Sequence, residues 1–240
     1  MAERGRLAAG VFEGTVIVAS ILLAFAIDAA WEARQQSRVR AELIGLLIDD
    51  FEVTADGLDE AIALAEKKAE ENTRFLRIIS TGSPISRDEF SALAYNFVLF
   101  DGFEPALANY HAAVGSDGLA SIHSPAFSEA VADFIKWNDV FDMHEQVGLE
   151  MYYLGSTHAI RQELGSLGVL LRTEDDCSGR SCIYPPELDM SMVELREFML
   201  RPRVFSAFES SRIVQINMLQ SLRDMQGAAR DVLSALHALR

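Results

Sequence analysis

Apolar residues run without a charged interruption from Thr15 to Ile27. The wider stretch from Leu7 to Trp31, LAAGVFEGTVIVASILLAFAIDAAW, admits only Glu13 and Asp28. A helix rises about 1.5 Å per residue, so a stretch of this length covers the roughly 30 Å hydrocarbon core of a bilayer. The pattern predicts a transmembrane anchor over residues 7–31 behind a short tail, residues 1–6. Trp31, followed by Glu32-Ala33-Arg34, fits a belt at the membrane–water interface. A cleaved signal peptide competes, since Arg4 and Arg6 supply a basic start and Ala24-Phe25-Ala26 a small-x-small site. Against cleavage, Ile27-Asp28-Ala29-Ala30-Trp31 continues with no turn-forming break. A buried helix of a soluble protein is the third reading, because only fourteen residues separate the two acids.

Beyond the anchor, helix periodicity dominates. Residues 32–80 carry no Pro and are rich in Ala, Leu, Glu and Arg, all good helix formers. From Leu58 the apolar positions alternate by four and three: Leu58, Ile62, Ala65, Ala69, Leu76 and Ile79, with Asn72 in the same seam. Such a stripe belongs to one helix of a bundle or to a short coiled-coil stalk. Thr81-Gly82-Ser83-Pro84 ends it. Ser86 and Glu89 read as a capping box opening a helix over 87–100. A loop at 101–105 and a short helix to Ala113 come next, then a turn-rich break at 114–118. Ser124-Pro125 opens a helix running to Gly148, with a successor over 149–167. Ser191 and Glu194 form a second capping box, Arg201-Pro202 interrupts, and 203–240 reads as a last long helix. No alternating strand pattern appears. The expected fold is all-α: one transmembrane helix (7–31), a stalk or first bundle helix (32–80), and a bundle domain of six to eight helices (81–240).

Charge narrows the partners. The chain has 21 Lys and Arg against 36 Asp and Glu, and nearly all of the excess lies past residue 34. Phosphate backbones would repel such a surface, which excludes nucleic-acid binding. Cys177 and Cys182 stand four residues apart across a Gly-containing loop. Zinc would need two more soft ligands nearby, and a redox pair would have two intervening residues. A structural disulfide, Cys177–Cys182, is the expected reading, and two free thiols the alternative. A disulfide implies an oxidising compartment, in a bacterium the periplasm. Flanking charge is nearly balanced (Arg4, Arg6 and the amino terminus before the span; Arg34, Arg38 and Arg40 after it) and slightly opposes a periplasmic carboxyl-terminal domain, so it is the cysteine pair that decides for a periplasmic domain on the bacterial inner membrane.

The run Glu13-Gly14-Thr15-Val16-Ile17-Val18-Ala19-Ser20-Ile21-Leu22-Leu23-Ala24-Phe25, followed by Ile27-Asp28 and Trp31-Glu32, resembles the opening of a family of uncharacterised bacterial single-span membrane proteins. Leu43 to Phe51 and Phe100 to Ile122 also resemble that family, so the likeness covers mainly residues 10–125. The resemblance implies topology and helical content but no activity, and the cysteine loop is no part of it.

Candidate chemistry is sparse. His144 and His158, with Asp142, Glu145, Glu150 and Glu163 around them, form the one cluster that invites a metal reading. A carboxylate-bridged di-iron bundle needs Glu three residues before a histidine, and none of the five histidines has it. Position 148 is Gly, which excludes a zinc-protease helix. No phosphate-cradling Gly loop and no Gly-x-Ser-x-Gly elbow is present. Acid pairs such as Asp49-Asp50, Asp59-Glu60 and Glu70-Glu71 read as solvated helix faces. No catalytic, cofactor-binding or metal residues are expected. The expected membrane or partner contacts are Gly10, Glu13, Gly14, Asp28 and Trp31: the glycines permit close helix approach, and the acids either snorkel or bond a neighbouring helix. These features together suggest a non-catalytic accessory or scaffold subunit. It would dock its acidic domain on other transmembrane subunits, for instance those of a photosynthetic or respiratory complex, and self-association is compatible with this. A helical sensor signalling through a partner is the alternative, and a tethered enzyme near His144 and His158 the second.

Overall fold

The structure, a computed structural model, describes residues 2–98, 101–116, 118–153, 158, 160–162 and 190–240. For residues 2–19, 98, 152 and 153 it describes the backbone alone. Among the described residues six α-helices are delimited: α1 (Ala2–Thr81), α2 (Arg87–Val98), α3 (Ala108–Gly115), α4 (Pro125–Tyr153), α5 (Met192–Met199) and α6 (Pro202–His237). A 3-10 turn (Gly118–Ser121) separates α3 from α4. No strand occurs among the described residues, so the all-α expectation holds.

Helix ends fall where the punctuation residues predict. Gly82 closes α1 in the left-handed region at φ 71°, and its N–H donates to the Ile78 carbonyl at 2.9 Å. Only Gly adopts that conformation without cost. The Arg196 guanidinium lies over Gly82 and donates through Nε to the Ile79 carbonyl at 3.0 Å, satisfying an acceptor the helix end leaves open. Ser86 accepts from the Glu89 N–H at 3.2 Å at the start of α2, while the Glu89 carboxylate pairs with Arg74 on α1. Both halves of the Ser191–Glu194 box are made at α5. Pro125 and Pro202 occupy first helical positions, where a missing N–H costs nothing. Helix α3 runs two residues past the expected Ala113 and α6 spans Pro202–His237 rather than 203–240; the larger difference is at Gly148. Helix α4 continues through Gly148 to Tyr153, because Gly148 is buried seven residues after the fully buried Phe141. Packing on that face outweighs the roughly 1 kcal/mol helix penalty of Gly.

The described chain forms two units. The first comprises residues 1–50, 107–123 and 236–240, with Ile44, Leu47, Ile48, Leu107, Ala113, Ile122 and Leu236 buried. Here Asp50, read from sequence as part of a solvated face, is buried instead. Its carboxylate accepts from Asn109 Nδ2 at 2.7 Å and the Tyr110 N–H at 2.9 Å, capping the start of α3 from another helix. Burial also raises the Tyr110 hydroxyl pKa.

The second unit comprises residues 51–106 and 124–235. The expected seam of α1 is buried or half-buried throughout, from Leu58 to Ile79. Helix α6 carries a matching four-three seam: Val204, Phe208, Ser211, Gln215, Met218, Leu222, Met225, Ala229 and Val232, all buried. The two run antiparallel, since Arg223 pairs with Glu66 at 2.8 Å while Arg230 and Gln226 reach Asp59. At one end Phe75, Phe90, Phe97 and Phe208 interlock, with Phe97 and Phe208 edge-to-face at 5.1 Å. Beside them lies a polar layer. Ser211 Oγ donates to the Phe97 carbonyl at 2.8 Å and Gln215 Nε2 to the Asn96 carbonyl at 3.1 Å, so α6 satisfies the last turn of α2. Gln215 Oε1 in turn accepts from Asn72 Nδ2.

Candidate interaction site

The strongest departure from ordinary globular packing lies in the first unit. Every residue of α1 from Ser20 to Val39 is exposed, although this stretch is largely apolar. Leu22 is 63%, Phe25 67% and Trp31 68% exposed, with Ile21, Leu23 and Ile27 comparable. Successive residues turn about 100° around a helix, so Ile21, Leu22 and Leu23 alone point in three directions. Phe25 and Ile27 fill the gaps between them. A helix serving one neighbour shows one apolar stripe; this one is apolar all round.

Of the expected contact residues, Asp28 and Trp31 stand exposed three residues apart at the end of this stretch. For Gly10, Glu13 and Gly14 the helical backbone alone is described, and Cys177 and Cys182 lie outside the described residues. Taken over the described residues, no helix is long and apolar enough to cross a membrane. The side chains of residues 2–19, which hold the first part of the apolar run, are not among those described.

The histidine cluster disperses. His144 Nδ1 lies 3.0 Å from Ser221 Oγ on α6, and Ser221 Oγ donates to the Asn217 carbonyl at 3.0 Å. The hydroxyl proton is thereby engaged, and His144 donates to the oxygen. Although His beside Ser suggests a nucleophile and its base, Ser221 is 2% exposed and no substrate carbonyl could reach it. His158 instead accepts from Gln162 Nε2 at 2.9 Å. The Glu145 carboxylate lies against Gly102, and Glu163 is outside the described residues. Burial, then the Asp139 charge, raises the Asp142 pKa. Among the described residues no group of three or more His, Cys, Asp or Glu is placed to hold a metal.

One feature was not signalled by any motif. Gly57, Ala61 and Ala65, spaced by four on α1, floor a cleft of about 280 Å³ in the second unit, walled by Phe103, Met218 and Leu222. Lys68, its side chain 13% exposed, closes one end in an ion pair with Asp101. Of the three, only Ala65 was legible as part of the helix seam; that it borders an opening was not.

With these geometries in view, comparison with known proteins adds no relative: no family, curated protein or solved structure matches the chain.

Proposed function

We propose that this chain is a non-catalytic, membrane-anchored accessory subunit. In this reading the first part of α1 is a lipid anchor, spanning the bilayer as a single pass, and the acidic helical domain docks on a larger membrane complex. The observation that carries it is the all-round apolar exposure of α1 between Ser20 and Ile27. Lipid meets a helix from every side, whereas a protein groove meets one face. The buried Ser221 and the dispersed histidines favour a scaffold over the enzyme reading. A bacterial inner-membrane location with the domain in the periplasm follows from the cysteine pair, and an energy-converting complex is one host of the right kind. The resemblance to a single-span family points the same way.

The test is mild detergent extraction of native membranes, native-size separation and identification of what travels with the chain. Stoichiometric co-migration with a larger complex is expected. Recovery in the soluble fraction would sink the anchor, and migration alone would sink the docking role while leaving the anchor standing. Replacing Leu22 and Leu23 by Arg should abolish membrane recovery, since each Arg at a span's centre costs about 2.5–3.5 kcal/mol of insertion.

A second reading rests on the cleft beside Lys68. A helical domain that takes a small apolar ligand there and signals through a partner would fit its dimensions, and the same separation, run for bound small molecules, tests it.

A further inference from the structure

The segment that follows the apolar stretch is not a neutral continuation. Trp31, Arg34 and Arg38 recur at spacings of three and four, which puts them on one face of α1. All three are exposed. Neither arginine makes an ion pair with a described residue, in a chain where acids outnumber bases 36 to 21. Two acids border that face, Asp28 three residues before Trp31 and Glu42 four after Arg38, yet neither forms an ion pair with Arg34 or Arg38. Glu32 lies off that face and accepts from Gln36 at 3.5 Å. Two unpaired guanidinium groups beside an exposed indole, directly after an apolar stretch, require an explanation that the anchor alone does not supply.

We infer that Arg34 and Arg38 bind the phosphates of anionic lipid headgroups, with Trp31 seated at the hydrocarbon boundary. This rests on the anchor reading of α1. Helix geometry supports it in three ways. Arg34 lies about 4.5 Å and Arg38 about 10 Å beyond Trp31 along the axis. The headgroup layer is about 5–7 Å thick on each side of the hydrocarbon, so the Arg34 backbone falls within it and that of Arg38 about 3 Å beyond it. Helical side chains also lean toward the amino terminus, which here is the membrane side, so both guanidinium groups reach back toward the phosphates. Planar guanidinium matches phosphate bidentately, which an ammonium cannot do. Acids farther away than about 8 Å are screened at physiological salt, and the nearer Asp28, Glu32 and Glu42 leave both guanidinium groups without an ion pair.

The experiment reconstitutes the full chain into vesicles of equal parts phosphatidylcholine and phosphatidylglycerol. After mild extraction, the lipids retained per chain are counted by native mass spectrometry. Phosphatidylglycerol should be enriched over phosphatidylcholine. Arg34→Gln and Arg38→Gln should each lower the enrichment about five-fold, the equivalent of about 1 kcal/mol per basic residue at an anionic surface. Arg40→Gln, on the opposite face, should leave it unchanged. Equal retention of both lipids, or enrichment that survives the double variant, overturns the inference. Displacement of the lipid by millimolar inorganic phosphate overturns its assignment to a membrane lipid. A chain that fails to incorporate into vesicles of either lipid defeats the anchor reading itself, a separate result.

Discussion

Gln215→Leu tests the polar layer where α2 meets α6. Gln215 is buried, and it serves two neighbours: its amide nitrogen donates to the Asn96 carbonyl, and its oxygen accepts from Asn72. Removing it strands both. Each buried polar group left without a partner costs about 1–3 kcal/mol. Leucine returns about 1.5–3 kcal/mol of apolar burial, so a net loss of about 1–3 kcal/mol is expected. Asn72→Leu should behave differently. Asn72 Oδ1 already lacks a hydrogen-bond partner, so this change costs Gln215 Oε1 one hydrogen bond but removes an existing penalty and adds apolar volume. Its expected effect is close to neutral. In the Gln215→Leu background, however, Asn72→Leu removes an amide with no partner at all, and should restore about 1–3 kcal/mol. Urea unfolding of the full chain in mild detergent, followed by far-ultraviolet circular dichroism, measures the cycle. Amide exchange over the last turn of α2 localises it. If Asn72→Leu shifts stability equally in both backgrounds, the two side chains do not act as a pair and the reasoning fails.

The remaining predictions concern helix ends. Asp50→Ala should cost about 1–2 kcal/mol and speed amide exchange across residues 108–115, since α3 loses its cap; unchanged exchange there would refute the capping role. For Glu194, hydrogen bonds first from the Ser191 hydroxyl and then from its backbone hold the carboxyl pKa below the ordinary 4.5. A lowered folded pKa stabilises the fold above that ordinary value, and the benefit is lost as pH falls through the folded one. Glu194→Gln keeps the capping box but should flatten this acid limb of the stability profile, so an unaltered slope in acid titration would count against it.

How far the chain could be read in advance depended on whether a signal was local. Gly82, Pro125, Pro202 and the Ser191–Glu194 box act within a few residues, and each predicted boundary lies within one residue of the structure's. The four-three seam of α1 was legible for the same reason, because periodicity needs no knowledge of the partner. Asp50 was misread as solvated, since its ligands sit 59 and 60 residues away in sequence. Ser211 and Gln215 look like defects in an apolar seam until α2's open carbonyls are placed beside them. Gly148 was misread as a break because propensity speaks for an isolated helix, and this one is packed. The exposed stretch of α1 was evident from composition alone; that it is apolar on every side became plain only once its neighbours were known.

The pairing of Asn72 with Gln215 joins positions 143 residues apart. A ribosome adding about 5–20 residues per second needs about 7–30 s to travel that distance. Throughout this interval the seam of α1 from Leu58 to Ile79 has been made but α6, which covers it, has not. A nascent chain with that much uncovered apolar surface invites chaperones or premature association. Truncation before α6 should therefore yield an aggregating product rather than a smaller folded one.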